Sequence, residues 1–478
     1  MLPPDDRAES KKFDGGINMK KLLALLLAAL MVFGMAACAK TAETPAADTP
    51  AGETTATADK PAEETTADET PAESDGDKIV IHYWAQWTEN EAQAEVYKAA
   101  IARFEQAHPD CTVEVNWAGR DVREILRASI DSGNAIDIVD SGFDQIVNLL
   151  GEDYLMDLTS YMEGSDFEKA ISAGMVAFAK SFASDGTSWY YIPSQPFVGT
   201  IYYNKAIFVE AGIDAMPTTW SEFMDVCQKI KDAGYDPITV DDAYYPCLYG
   251  TYLAMMKGPD WVTELLSDTT GANWSDPAVA QMADDFAAMR ANGYFSDSCG
   301  SNVFPSAQNG EFAMGTAAMY YNGSWFVQLL KINSDKVDFE WGVAKSPYWE
   351  GTEKAGFATS TPIAINSKTE KVDASWKLLE FLTGAEGAKI LADNMMVPGY
   401  MSDEVMEAYK TSTGIDDSSY EALTNNTTYG FGAPNELNGL VTAALQEELE
   451  LAITGNQSVD DTVKRMEERR TEIIEQNK

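Results

Sequence analysis

Between Lys78 and Gly142 the sequence switches four times between strand-like and helix-like patterning, and this alternation limits the folds open to it. The run KIVIHYW (78–84) is apolar on both faces, as suits a parallel strand covered on both sides. Val96, Ala100 and Phe104 then recur at helical spacing, with Tyr97 and Ile101 beside them. Thr88 and Glu91 fit a capping box that would open this helix, and Pro109 closes it. CTVEVNW (111–117) alternates, with Cys111, Val113, Val115 and Trp117 on one side. DVREILRASIDSGN predicts a second helix stopped by Gly133, and AIDIVDSG (135–142) a third strand. Strands joined by helices in this way pair in parallel and carry the helices on their faces. The expected class is therefore α/β.

The pattern restarts after residue 192. IPSQPFVGTIYYN (192–204) is strand-like and leads into a short helix over 206–211, ended by Gly212. Thr219 and Glu222 form a second capping box, opening a helix with Phe223, Val226, Cys227 and Ile230 inward. DPITV, AAMYYNGSW (317–325), FEWGVAKSP and TPIAINS read as strands. Helices are expected near 277–292, 306–312 and 373–394, and at 435–453 and 459–475 with Gly455 between them. Tryptophans 220, 341 and 376 fall within such elements and are expected in the core.

The chain has 478 residues, too many for one ordinary core. Its formal net charge of -42 argues against a nucleic-acid partner or a basic membrane patch. With only His82 and His108 available, histidine-based metal or triad chemistry is nearly excluded, and no metal or cofactor is expected. Met19 opens a stretch with Lys20 and Lys21 followed by an uncharged run to Ala37, which reads as a signal peptide over 19–37; residues 1–18 read as upstream of the true start. Met35-Ala36-Ala37-Cys38 resembles the lipobox of bacterial lipoproteins, which implies cleavage before Cys38 and a lipid on its sulfur. The competing reading is an ordinary signal peptide with a cysteine there by chance. Residues 39–77 carry eleven acids against two lysines, with no aromatic, Val, Ile or Leu, so this stem cannot form a core and its charges keep it extended. Cys111, Cys227, Cys247 and Cys299 follow; export permits disulfides among them, although Cys111 and Cys227 read more naturally as small buried hydrophobes.

Four segments, in order, resemble the family 1 extracellular solute-binding proteins, the sugar-binding components of bacterial ABC importers, of which maltose-binding protein is a relative. They are the opening strand and helix running to FEQAHPDCTVEV; SGNAIDIVDSG; IPSQPFVGTIYYNKAIFVEAGI with PTTWSEF; and NGEFAMGTAAMYYNGSW with GFATSTPIAINSKTEKVDASWKLLEFL. The resemblance implies two α/β lobes, each a mainly parallel sheet flanked by helices, here 78–198 plus 345–400 and 199–344 plus 401–478. Ligand would sit in the cleft between them, with Pro193–Gly199 as the first crossing. It also implies a monomer that captures a carbohydrate by hinge closure and delivers it to permease subunits.

Aromatic rings suit that task because they bury the apolar C–H faces of a sugar with few rotamers to freeze, while carboxylates and amides take its hydroxyls. Trp84, Gln86 and Trp87 follow the first strand at its C-terminal end, where open α/β sheets place ligands. Glu89 stands at the next helix, and Asp140 ends AIDIVD at the same edge. Asp242, Tyr244 and Tyr245 occupy the corresponding place in the second lobe. Phe197 would lie at the cleft floor, and of Tyr202 and Tyr203 one would face the core. By resemblance, Trp325 would be an aromatic platform, Asn322 a ligand contact or a turn residue, and Phe357 and Tyr400 further contacts. Other readings keep the fold with a peptide, polyamine or metal as ligand, or make the protein a surface adhesin. A glycosidase would use a pair such as Asp241 and Asp242, but adjacent strand residues point apart and no catalytic motif appears, so no enzyme is expected.

Overall fold

The computed structural model describes residues 78–477 apart from 144–145, 147–149, 242–243, 301–306, 348, 350–355, 425–427 and 430–435. The leader, Cys38, the acidic stem and Asp242 lie outside the described residues.

The opening alternation folds as its pattern predicts. Strand β1 (Ile79–Ala85) pairs in parallel with β2 (Cys111–Trp117) on one side and β3 (Ile138–Asp140) on the other. Helices Ala92–Ala107 and Val122–Asp131 make the two connections. Val96, Tyr97, Ala100, Ile101 and Phe104 are buried on the first of these helices. Its start differs from the expected capping box. The helix begins at Ala92 with Glu91 as N-cap, and Glu91 Oε2 accepts the Thr88 N–H at 3.1 Å while the Thr88 side chain caps nothing. Arg120 also reaches Glu91 at 3.2 Å, so the carboxylate faces a cation as well as the helix entry. The second box forms as expected, with Thr219 Oγ1 accepting the Glu222 N–H and Glu222 returning to the Thr219 N–H.

Beyond β3 the pairing turns antiparallel. The sheet runs β2-β1-β3-β8-β4-β6-β5, with β4 (Ile192–Asn204), β5 (Asp236–Val240), β6 (Ala317–Gly323) and β8 (Gly356–Ile365). Strand β7 (Trp341–Ala344) joins β4, and the short β9 (Thr428–Tyr429) joins β8. Strands β5 and β6 are again parallel.

Strand β4 changes partner along its length. Ile192–Val198 pair with β8, Gly199–Tyr203 with β6, and Ile201–Asn204 with β7. The first half holds a register shift between Pro193 and Gln195, leaving Ser194 outside the ladder. Ser194 is held instead by the Gly399 N–H on its carbonyl at 2.9 Å and by Tyr97 Oη at 3.2 Å from its hydroxyl. Pro193 thus borders the bulge, whereas Pro196 lies within the regular ladder opposite Ser360.

Two apolar clusters form the core. One gathers β1, β3, β8 and their helices and continues through Tyr202, Phe312, Tyr320 and Phe326 to Val405, Tyr409 and Leu423. The other surrounds β5 and helices Trp220–Asp232, Tyr245–Lys257 and Pro277–Ala291. Tyr202 is wholly buried and Tyr203 half-buried against Phe208, so this pair serves packing. Tryptophans 220, 341 and 376 pack half-buried on the core margins. The four described cysteines are buried, and none of them forms a disulfide with another described cysteine. Among the described residues no helix is long and apolar enough to cross a membrane, and no cluster of His, Cys, Asp and Glu fits a metal ion.

Candidate functional site

Two loops leave the C-terminal ends of parallel strands, one after β1 and one after β6, and each carries tryptophan. In the first loop the Gln86 N–H donates to Asp140 Oδ1 at 2.6 Å, and the Tyr83 hydroxyl donates to Asp140 Oδ2. Asp140 is fully buried, and that burial pushes its carboxyl up to about 6, with the Tyr83 hydroxyl, the Gln86 amide and Arg120 pulling the other way. The Arg120 guanidinium lies 4.8 Å from the centre of the Trp87 ring and donates to the Gln86 carbonyl. Trp87 is nearly buried, Trp84 is half-buried, and Glu89 is exposed beside Lys98 at 3.4 Å.

In the second loop Trp325 packs half-buried against both apolar clusters. Its indole N–H donates to the Tyr244 hydroxyl at 2.5 Å. Burial pushes that hydroxyl far up, so it remains a neutral acceptor. The close approach depends on Gly323, where a Cβ would fall 2.7 Å from the Trp325 ring and 2.9 Å from the Tyr244 hydroxyl. Gly199 stands opposite Gly323 in the β4–β6 ladder, and a Cβ there would run into the Tyr321 hydroxyl. Two facing glycines therefore make room for aromatic rings at the point where β4 changes partner. Ser324 ties the loop to that point, its N–H on the Val198 carbonyl at 3.0 Å. Phe197 is half-buried one residue earlier, its ring 6.0 Å from Phe357.

The structure sorts the expected ligand residues into two groups. Trp84, Phe197, Trp325 and Tyr400 are half-buried, and Glu89 is exposed. Asp140, Asn322, Tyr245 and Phe357 are internal. Asn322 Nδ2 donates to Asp241 Oδ2 at 3.0 Å and its Oδ1 accepts the Gly323 N–H at 2.6 Å, while Tyr245 packs on Phe295. Gln86, Trp87 and Tyr244 are nearly buried, and Tyr400 lies 6.5 Å from Phe167. Tyr83, Arg120, Tyr320 and Asp241, which hold these loops, were not among the expected site residues as contacts. The signal available for the tyrosines is their place just before each tryptophan loop, in YWAQW and YYNGSW. An apolar crevice is lined by Trp220, Phe223, Tyr252, Phe286 and their neighbours, and none of the expected ligand residues borders it.

A family model described as bacterial extracellular solute-binding protein matches residues 87–389, from the first tryptophan loop through β8 and the helices after it. The chain belongs to this family. Among similar proteins, the ABC transporter periplasmic-binding protein YcjN of Escherichia coli is 24% identical over 73% of this chain and 79% of its own length. The multiple sugar-binding protein of Streptococcus mutans is 25% identical over 66% of this chain and 73% of its own. A sugar transporter structure from Rhizobium etli in an open conformation superposes with a TM-score of 0.68, covering 82% of this chain and 99% of that one at 24% identity. The cyclic alpha-maltosyl-1,6-maltose binding protein of Arthrobacter globiformis gives 0.66 over 83% and 99% at 20% identity. The fold is thus the mixed α/β fold of the solute-binding proteins, with a central sheet flanked by helices.

Proposed function

We propose that this solute-binding protein captures a carbohydrate, mono- or oligosaccharide, and passes it to the permease of an ABC importer. The observation that carries the reading is the half-buried Trp325, braced by Tyr244 and a glycine contact where β4 passes from one set of strands to the other. A ring fixed in this way offers a flat apolar face to a sugar at little further entropic cost. Trp84, Phe197 and Tyr400 supply further faces, and Glu89 a hydroxyl acceptor, with Asp242 as a second. Segments 78–198 plus 345–400 and 199–344 plus 401–478 act as the two lobes and close about β4 and β8 when sugar touches both. The protein works as a monomer without catalysis. The Cys38 lipid holds it at the outer face of the cytoplasmic membrane, and the acidic stem sets its distance from the bilayer. The sugar-binding names of two relatives support the choice of ligand.

A thermal-shift screen of residues 78–478 tests this, with sugars, peptides, polyamines and divalent metals in the panel. A ligand at a hundredfold excess over its Kd stabilises the native state by about 2.7 kcal/mol. A shift with one sugar series, lost in Trp325→Ala, is the expected result. Shifts confined to peptides, amines or metals overturn the carbohydrate assignment.

A further inference from the structure

We infer that Tyr83 and Tyr320 are a matched pair of positioning residues, each clamping a buried aspartate at the C-terminal end of the neighbouring parallel strand and so setting the tryptophan-bearing loop that follows its own strand. The inference rests on the carbohydrate reading for its consequence, though not for its geometry.

The two corners share one register. Tyr83 pairs with Ile138, and the aspartate it holds is two residues further on, Asp140. Tyr320 pairs with Thr239, and the aspartate it holds is again two residues further on, Asp241. In each pair the strands are parallel and the tyrosine ring is fully buried. In each, the backbone N–H three residues after the tyrosine closes the loop onto the carboxylate. Gln86 does so directly at 2.6 Å. Gly323 does so through Asn322, whose Oδ1 takes the N–H at 2.6 Å and whose Nδ2 reaches Asp241 at 3.0 Å. Trp87 and Trp325 follow within two residues of those N–H groups.

The chemistry explains why tyrosine stands at these positions. A carboxylate taken out of water requires donors, and a phenol on the adjacent strand reaches it without bringing a second charge. Burial and the nearby aspartate push the hydroxyls of Tyr83 and Tyr320 far up, so both remain protonated donors. Each clamp also touches another element. The Tyr83 ring packs edge-on against Tyr97, whose hydroxyl accepts from Gln195 Nε2 at 2.7 Å on β4. Asn309 Oδ1 lies 2.7 Å from the Tyr320 hydroxyl. Neither tyrosine has an open path to ligand, so their action is through the loops.

Tyr83→Phe and Tyr320→Phe keep the rings and remove only the hydroxyls. Hydrogen exchange followed by mass spectrometry, without ligand, reads the two loops separately in peptides covering 84–90 and 321–327. Exchange at 84–90 is expected to rise at least tenfold in Tyr83→Phe with 321–327 unchanged, and the reverse in Tyr320→Phe. Each variant should also bind the sugar found in the screen at least tenfold more weakly. Exchange that rises equally in both loops, or in neither, overturns the clamp and leaves ordinary core packing. Local loosening with unchanged affinity overturns the positioning role. If the wild-type protein binds no sugar, the capture reading fails while the exchange result still judges the clamp. Should Tyr83→Phe fail to fold, Asp140→Asn, which keeps one acceptor oxygen, serves the same comparison.

Discussion

The corner at Asp140 and the corner at Asp241 solve one problem with different donors. At Asp140 the loop amide lies directly on the carboxylate and Arg120 stands close by, its guanidinium stacked on Trp87. At Asp241 a side-chain amide is interposed, and Trp325 is braced by a phenol in place of a cation. The difference teaches that buried carboxylates set the geometry of these loops whichever group completes the shell. It also separates the corners experimentally, because one is tuned by charge and the other by neutral hydrogen bonds.

The largest contrast is expected between the two tryptophans. Trp87 is nearly buried, so Trp87→Ala should cost about 3 kcal/mol of stability in denaturant unfolding. Trp325 is only half-buried, so Trp325→Ala should cost less stability but weaken sugar binding by about 2 kcal/mol or more in calorimetry. The reverse pattern would break the comparison.

A second contrast is in pH. Asp140 sits at about 6 in the folded chain, above its unfolded value near 4, so the folded state takes up the proton first. Stability contributed at this corner therefore falls as pH rises from about 4 through 6, by up to about 3 kcal/mol, and is regained on acidification. Tyr83 from β1, Tyr97 from helix Ala92–Ala107 and Arg120 are the titratable groups that bear on it. Asp140→Asn should remove that component from a stability-versus-pH series, and a slope that survives in the variant would assign it to other groups.

The donors themselves give a smaller effect. Asn322→Leu strips the amide between Gly323 and Asp241 and should cost about 2 kcal/mol in thermal unfolding. Gln86→Ala keeps the backbone N–H on Asp140 and should cost less. Equal losses would mean that the Gln86 side chain matters as much as its amide. The smallest effect is expected at Glu89, exposed and only loosely paired with Lys98, where Glu89→Ala should change stability by less than about 0.5 kcal/mol. Any loss of sugar affinity in that variant would then report a direct contact.

The local pattern was the most legible part of this protein. The alternation over 78–142, the Thr219–Glu222 capping box and the two last helices, Glu436–Ile453 and Val459–Gln476, all follow the sequence closely. Helices Ala173–Ser181, Pro259–Ser267 and Asp403–Thr413 were not among the expected elements; the first has little contrast between its faces, while the other two are short, with three or four buried apolar or small residues each. At Thr88 and Glu91 the capping pattern was present, but Arg120, distant in sequence, shares the Glu91 carboxylate and the helix starts later.

The site was legible in its residue types and its loops, and less so in the direction of each side chain. An acid at the end of AIDIVD reads as a ligand group until Tyr83 and Gln86 are seen to occupy both its oxygens. The same holds for Asn322, whose partners lie just after β5 and in its own loop. Sequence by itself determined which faces of the elements are apolar, where chains turn and which loops carry aromatics, because periodicity and turn chemistry act over a few residues. Only the tertiary structure decided that β4 changes partner at Gly199 and that two tyrosines hold two aspartates in one register, because strand pairing and burial are set by residues far apart along the chain.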